Sequence, residues 1–280
     1  MPSRNPSAVH SREMKLGDYT EANRRMWNET AAIHADLKLA DLLNGFRNPD
    51  YNLLDNTERQ ILTELGVAGK WVAQLSCNNG RELLSVVRLG ASGGVGFDIS
   101  DAFIDQANQL AAAAHLEERV EFVCTDVYDI PTRYNSTFDL VYVTVGALGW
   151  LPDLNHYFAT VDRLLSPSGH LFVYEMHPIL DMFDADGDLA IRHSYFRSEP
   201  FESTDDPDYY DPERIVEATS FWFHHKLSDI IGGCLRHGLA LRVFEEHDHD
   251  ISTVFRSLQD LKKRPPLCYT LVAQKDMILP

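Results

Sequence analysis

Helical spacing dominates the first quarter of the chain. Trp27, Ala31, His34 and Leu37 recur on one stripe, and Leu53, Ile61, Leu62 and Leu65 on another. Pro49 lies between them, where its missing N–H and fixed ring interrupt a helix. The spacing predicts a helical cap over residues 19–66. From residue 67 the pattern changes. Short apolar runs at Trp71–Leu75, Val95–Phe97, Val120–Cys124, Leu140–Val143 and Leu171–Tyr174 alternate with helical stretches at Glu82–Leu89, Ala102–Ala114 and Asn155–Leu165. Alternation of this kind predicts parallel strands joined by crossover helices, a doubly wound α/β sheet covered on both faces. The turn Ser166-Pro167-Ser168-Gly169 is expected to separate the last of these helices from the fifth strand.

Beyond Pro178 the alternation stops. Residues 181–217 form a long stretch rich in acids and aromatics, and loops of that length in a compact domain are usually functional. They are read as a lid inserted in a domain spanning 67–280. Order is expected to return with Thr219–Phe223, a helix over Leu227–His237 and strands near Leu241–Phe244 and Cys268–Gln274, the last two as a closing hairpin. Residues 1–18, polar and with prolines at 2 and 6, read as a disordered lead-in.

Charge and cysteine usage narrow the classes. The formal net charge is -17, the wrong sign for neutralising phosphates, so no nucleic-acid partner is expected. Nor is membrane insertion expected, because no run of about 18 apolar residues occurs. Cys77, Cys124, Cys234 and Cys268 lack metal-ligand spacing, and no His pattern supplies it either. They read as buried free thiols of a cytoplasmic protein, monomer or homodimer.

Ligands of open α/β sheets bind beyond the carboxyl ends of the strands. In order, those ends are Gln74-Leu75-Ser76-Cys77-Asn78-Asn79-Gly80, Phe97-Asp98-Ile99, Cys124-Thr125-Asp126-Val127, Val143-Thr144-Val145-Gly146 and Glu175-Met176-His177-Pro178. An acid at the second end suits the vicinal hydroxyls of a ribose, which fits a nicotinamide dinucleotide as well. The dinucleotide fingerprint needs G-x-G-x-x-G, however, and Asn78 and Asn79 break it.

The ordered set resembles the class I S-adenosylmethionine-dependent methyltransferases over residues 60–178. Their first motif is an acid followed by Gly-x-Gly-x-Gly. Here Gln74 stands at the acid, Ser76 and Asn78 at the first two glycines, and Gly80 alone is retained. The resemblance implies a Rossmann-like seven-stranded, mostly parallel sheet. It implies S-adenosylmethionine as cofactor, held by Trp27, Ser76, Asn78, Gly80, Asp98, Ile99, Asp126, Val127 and Thr144. The implied reaction is methyl transfer to an N or O atom of a small-molecule metabolite. Because the first motif is altered, a catalytically inactive cofactor-binding partner or sensor is the competing class. On the substrate side the expected contacts are Tyr19, Trp150, Tyr195 and His225. Of the candidate bases His34, His177, His224 and His225, His177 is the best placed, just past the fifth strand. The acids of the insert, from Asp184, Asp186 and Asp188 to Glu217, suggest a mouth that attracts a cationic amine.

Overall fold

A computed structural model of the chain describes residues 14–184 and 189–276. Most of the expected lead-in, residues 1–13, lies outside the described residues, as do Asp186 and Asp188 of the insert. Helix α1 (Leu16–His34) starts three residues before the expected cap. A π-helical stretch, Ala35–Leu39, continues it into α2 (Ala40–Phe46). Side-chain spacing does not distinguish a single π turn from an α turn, so this element was not legible beforehand. Helix α3 (Asn56–Glu64) opens on a capping box. The Asp55 carboxylate accepts the Glu58 N–H at 2.8 Å, and the Glu58 carboxylate accepts the Asp55 N–H at 3.0 Å.

The alternating part follows as β1 (Trp71–Leu75), α4 (Arg81–Arg88), β2 (Gly93–Asp98), α5 (Asp101–Ala114), β3 (Val120–Cys124), β4 (Phe138–Val143), α6 (Leu154–Leu164) and β5 (Leu165–Met176). The insert carries three short strands, β6 (Phe201–Ser203), β7 (Asp206–Pro207) and β8 (Ile215–Val216), and β9 (Ser220–Trp222) follows it. The chain closes with α7 (Leu227–Arg236), β10 (Leu239–His247), α8 (Arg256–Gln259) and β11 (Cys268–Lys275). Seven strands form one sheet in the order β10-β11-β5-β4-β1-β2-β3. Only β11 runs against its neighbours. Strand order reverses beside β1, which places a crevice at the carboxyl ends of β1, β2 and β4.

Burial follows the two-residue period of a sheet packed on both faces. Along β4, Val141 and Val143 join one core with Phe97, Tyr157 and Phe158. Leu140 and Tyr142 join the other, with Leu83, Leu84 and Phe172. Strand β2 is longer than its apolar run because its first residues are glycines. A Cβ at Gly94 would overlap the Val72 carbonyl, and one at Gly93 the Arg119 carbonyl. Close strand approach therefore demands residues that propensity assigns to loops.

Three further expectations are corrected. The Ser166–Gly169 turn is a bulge inside β5: Phe138 pairs Leu165, Leu140 pairs His170, and Ser168 takes a φ of 64°. Strands β10 and β11 are antiparallel neighbours but are joined by residues 248–267, not by a tight hairpin. Cys77, Cys234 and Cys268 are buried, whereas Cys124 is exposed at the end of the edge strand β3.

Glu58 ties the cap to the sheet. It is buried, and its second oxygen hydrogen-bonds the Tyr142 hydroxyl on β4. Burial pushes its carboxyl up to about 7, against the opposing pull of Tyr142 and the Asp55 N–H. Between pH 4.5 and 7 the native state keeps a proton that the unfolded chain has released. The contribution of this group to stability is therefore full below the unfolded value and falls as pH rises through that window. Glu58→Gln should remove roughly 1–3 kcal/mol of pH-dependence from urea unfolding measured across the window. A slope unchanged in the variant would place the ionisation of Glu58 in the ordinary carboxylate range.

Candidate active site

The turn between β1 and α4 shapes the crevice. Ser76, Asn78 and Gly80 have φ values of 54°, 51° and 70°. All three glycine positions of the motif thus have left-handed backbone here, although only the third is glycine. Left-handed angles cost an L-residue about 1–2 kcal/mol, less for Asn. Hydrogen bonds offset that cost. The Asp98 carboxylate accepts the Asn78 N–H at 2.7 Å, the Asn78 side-chain oxygen accepts the Asn79 N–H at 2.8 Å, and Phe97 O accepts the Cys77 N–H at 3.0 Å. Gln74, at the acid's position, is fully buried. Its oxygen accepts the Leu83 N–H at 3.0 Å and its amide reaches Thr144 Oγ1 at 3.4 Å, so it clamps β1 to α4 and β4. It is absent from the cavity wall.

A cavity of about 330 Å³ opens against this turn. Ser76, Asn78, Asp98, Ile99, Asp126, Val127 and Thr144 line it from the strand ends, and Trp27 from α1. Asp98 is buried and spends one lone pair of each oxygen on Asn78 and Ser100 N–H groups, at 2.7 and 2.9 Å. Each oxygen retains another acceptor site. Burial pushes its carboxyl up to about 6, with those backbone donors pulling down. Asp126 is likewise shifted upward by burial. Asn79 also lines the cavity, and its side-chain oxygen is buried without a hydrogen-bond partner among the described residues. Orphaned acceptors of this kind are costly and point to a ligand.

Comparison with known proteins fits this arrangement. Residues 73–173 match a family described as a methyltransferase domain. Geranyl diphosphate C-methyltransferase from Streptomyces coelicolor superposes with a TM-score of 0.61, covering 96% of this chain and 100% of that one at 13% identity. The chain has the fold of the S-adenosylmethionine-dependent methyltransferases. Two curated relatives match at 28% identity. Phthiotriol/phenolphthiotriol dimycocerosates methyltransferase of Mycobacterium leprae aligns over 44% of either chain. The 27-O-demethylrifamycin SV methyltransferase of Amycolatopsis mediterranei aligns over 37% of this chain and 38% of its own. The chain therefore spans less than half the length of each curated relative it matches.

Within the methyltransferase fold, several residues singled out from sequence stand elsewhere. Gly80 does not line the cavity; a Cβ there would overlap the Phe122 ring, so packing against β3 is what demands glycine. His177 lies outside the cavity, at the edge of a separate small hollow. Its Nδ1 accepts the Ile179 N–H at 3.1 Å and its Nε2 meets Glu246 at 2.9 Å, so both ring nitrogens are engaged and it is set aside as a base. His225 borders the same hollow, with Nε2 on Leu151 O at 2.8 Å. Tyr19 packs edge-on against Phe221 and Phe223. The Tyr195 hydroxyl accepts the Leu227 N–H at 3.0 Å. Trp150 does line the cavity, in a chain of edge-to-face rings with Trp27 at 5.1 Å and Trp222 at 5.0 Å.

The insert contributes differently from the acidic mouth expected. Glu199, Glu202, Asp205, Asp206, Glu213 and Glu217 are exposed, and none lines the cavity. Its contributions to the wall are Tyr209 and Tyr210, next to Arg81 and Lys38. Asp208 is buried and paired with His34 at 2.9 Å. Sequence reading also missed Glu175. This buried carboxylate accepts the N–H groups of Gly146, Leu148 and Met176, and so shapes the loop after β4. Sequence reading placed Glu175 only in the segment at the carboxyl end of the fifth strand.

If left-handed geometry at Ser76 is what the site requires, glycine should serve there. Ser76→Gly should stay within about 1 kcal/mol of the parent in urea unfolding. Ser76→Val should cost more than about 2 kcal/mol, because a β-branched residue tolerates that φ worst. Equal stability of the two variants would show that the turn relaxes to another backbone shape.

Proposed function

We propose that this chain binds S-adenosylmethionine and transfers its methyl group to an N or O atom of a small molecule. The observation that carries the reading is the meeting, in one cavity, of the left-handed turn, the spare acceptor capacity of Asp98 and the orphaned oxygen of Asn79. Asp98 would accept the ribose hydroxyls. Asp126 and the Val127 N–H would take the adenine, and the turn with Asn79 would take the amino-acid end. When bound, the cofactor supplies an activated methyl on a sulfonium with an excellent leaving group. The protein then needs mainly to align the acceptor and exclude water. Trp27, Trp150 and Trp222 suit an apolar or aromatic acceptor body.

The 28%-identical relative named for 27-O-demethylrifamycin SV favours a small-molecule acceptor with an oxygen at issue, whereas a structural neighbour is named a C-methyltransferase. A nucleic-acid partner is disfavoured by the net charge. No described helix is long and apolar enough to cross a membrane. The altered first motif motivates an inactive binding protein; left-handed backbone at Ser76, Asn78 and Gly80 instead supports a turn that forms without glycine at the first two positions.

Two measurements test the reading. Calorimetry should detect S-adenosylhomocysteine binding, weakened ten-fold or more by Asp98→Ala, in line with roughly 1.5–3 kcal/mol for hydrogen bonds to a charged group. Mass spectrometry with S-adenosylmethionine and an acceptor panel should find products heavier by one methylene. Unchanged binding in a folded Asp98→Ala would end the ribose assignment. Tight binding with no transfer to any acceptor would favour the inactive class.

A further inference from the structure

We infer that His34 is the general base of the proposed transfer, that Asp208 positions it, and that the acceptor is an aromatic hydroxyl. The inference rests on the methyltransferase reading above and assigns the acceptor side of the same cavity.

His34 is the last residue of α1, buried, and part of the cavity wall. Its Nε2 lies 2.9 Å from Asp208 Oδ2. The other Asp208 oxygen accepts the N–H groups of Tyr210 and Asp211, at 2.8 and 3.2 Å. A carboxylate loaded in this way is fixed in place and serves as an acceptor, so the imidazole donates through Nε2. The Nδ1 lone pair is then free, with no hydrogen-bond partner for it among the described residues. This is the arrangement by which a carboxylate orients a histidine base. Burial lowers the pKa of His34, Arg81 and Lys38 act in the same direction, and Asp208 opposes them. The ring is thus held neutral near pH 7, able to accept a proton.

Neighbouring groups select the acceptor. The rings of Tyr209 and Tyr210 stand 4.9 and 4.5 Å from the imidazole, and the tryptophan chain walls the same cavity. Such a lining suits a flat aromatic body. Arg81 reaches the Tyr210 hydroxyl at 3.3 Å, and the Lys38 ammonium sits 5.4 Å from the Tyr210 ring centre. Lys38 and Arg81 stand beside the base, with Arg81 paired to Glu82 at 2.6 Å and Asp208 already bonded through both oxygens; a cation there favours an acceptor that turns anionic as it loses its proton. In the step itself the hydroxyl proton passes to Nδ1, and the oxygen's freed pair forms the bond to the methyl carbon. The carbon–sulfur pair returns to sulfur as a neutral thioether. The imidazolium then releases its proton to water.

4-Nitrophenol, whose colour reports its ionisation, is a direct probe. Titrated with protein saturated by S-adenosylhomocysteine, its bound form should ionise at least about one pH unit below the free phenol. His34→Gln should shrink the shift to the part that Arg81 and Lys38 sustain alone, and Asp208→Asn should reduce it by less. Nitrogen-15 spectra of the unaltered protein should show His34 neutral at pH 7 with its proton on Nε2, a readout independent of how the variants fold. The inference is overturned by a proton on Nδ1, by an ionisation shift undiminished in His34→Gln, or by no 4-nitrophenol binding at millimolar concentration while S-adenosylhomocysteine binds. Failure of S-adenosylhomocysteine itself to bind would instead remove the methyltransferase reading, and the role of the pair with it.

Discussion

The site depends on one hydrogen bond across the crevice, from the Asn78 N–H on the turn after β1 to the Asp98 carboxylate at the end of β2. Parallel pairing brings those strand ends level, with Leu75 opposite Phe97. The turn can then hold two L-residues in left-handed angles, because the conformational cost is met by contacts that a relaxed loop would lose. It also delivers α4 with its first turn toward the cavity, which sets Arg81 and Glu82 in the wall. Glycine at these positions would make the turn easier to form. Asn and Ser add side chains to the cavity edge, and Asn78 spends its own oxygen on the next N–H.

A roof over the strand ends is built from paired polar groups on α1. The Asn23 side chain donates to Phe221 O at 2.9 Å and accepts the Phe221 N–H at 2.7 Å, matching β9 as another strand would. One Glu29 oxygen accepts the N–H groups of Glu217 and Ala218, both at 2.9 Å. On the other side Asn28 bonds Ser100 and Asp101, and Gln106 donates to Ala31 O at 2.8 Å. The helix is thereby tied to both the insert and α5. Fixed-geometry pairs of this kind fix orientation more than they add net stability. Trp27 reaches the cavity from the same helix, so the aromatic wall inherits that orientation.

Much of this was legible in the sequence, for identifiable reasons. Two of the five parallel strands were bounded to the residue, because β1 and β3 are apolar runs flanked by turn residues. Gly93 and Gly94 hid the start of β2, since their role is steric fit and not propensity. Strand-end logic found Asp98, Asp126 and Thr144, whose place follows from the sheet alone. The rest of the cavity wall was largely illegible. Tyr209, Tyr210 and residues 251–254 reach the cavity through loops whose paths no periodicity encodes. His177 looked better placed than His34 because it follows a strand. Only the three-dimensional path of the insert brings Asp208 to His34, 174 positions away in the chain.

Net charge and local charge point in different directions here, and the difference is physical. The total of -17 is a statement about the whole surface, where the insert's exposed acids are solvated and screened within about 10 Å at 0.1 M salt. Inside the cavity the charged groups are few and individually constrained. Arg81 is paired with Glu82 at 2.6 Å, and that carboxylate raises the pKa of the guanidinium. Asp98 and Asp126 sit at the strand ends, whereas Lys38 and Arg81 gather beside Tyr210. The cavity is thus divided, with Asp98 and Asp126 at the strand ends and, beside Tyr210, Lys38 together with the Arg81–Glu82 pair. A surface field steers what approaches. The division within the wall governs which end of a bound molecule each charge meets, because interactions at a few ångströms in a poorly solvated cavity outweigh screened ones at the mouth.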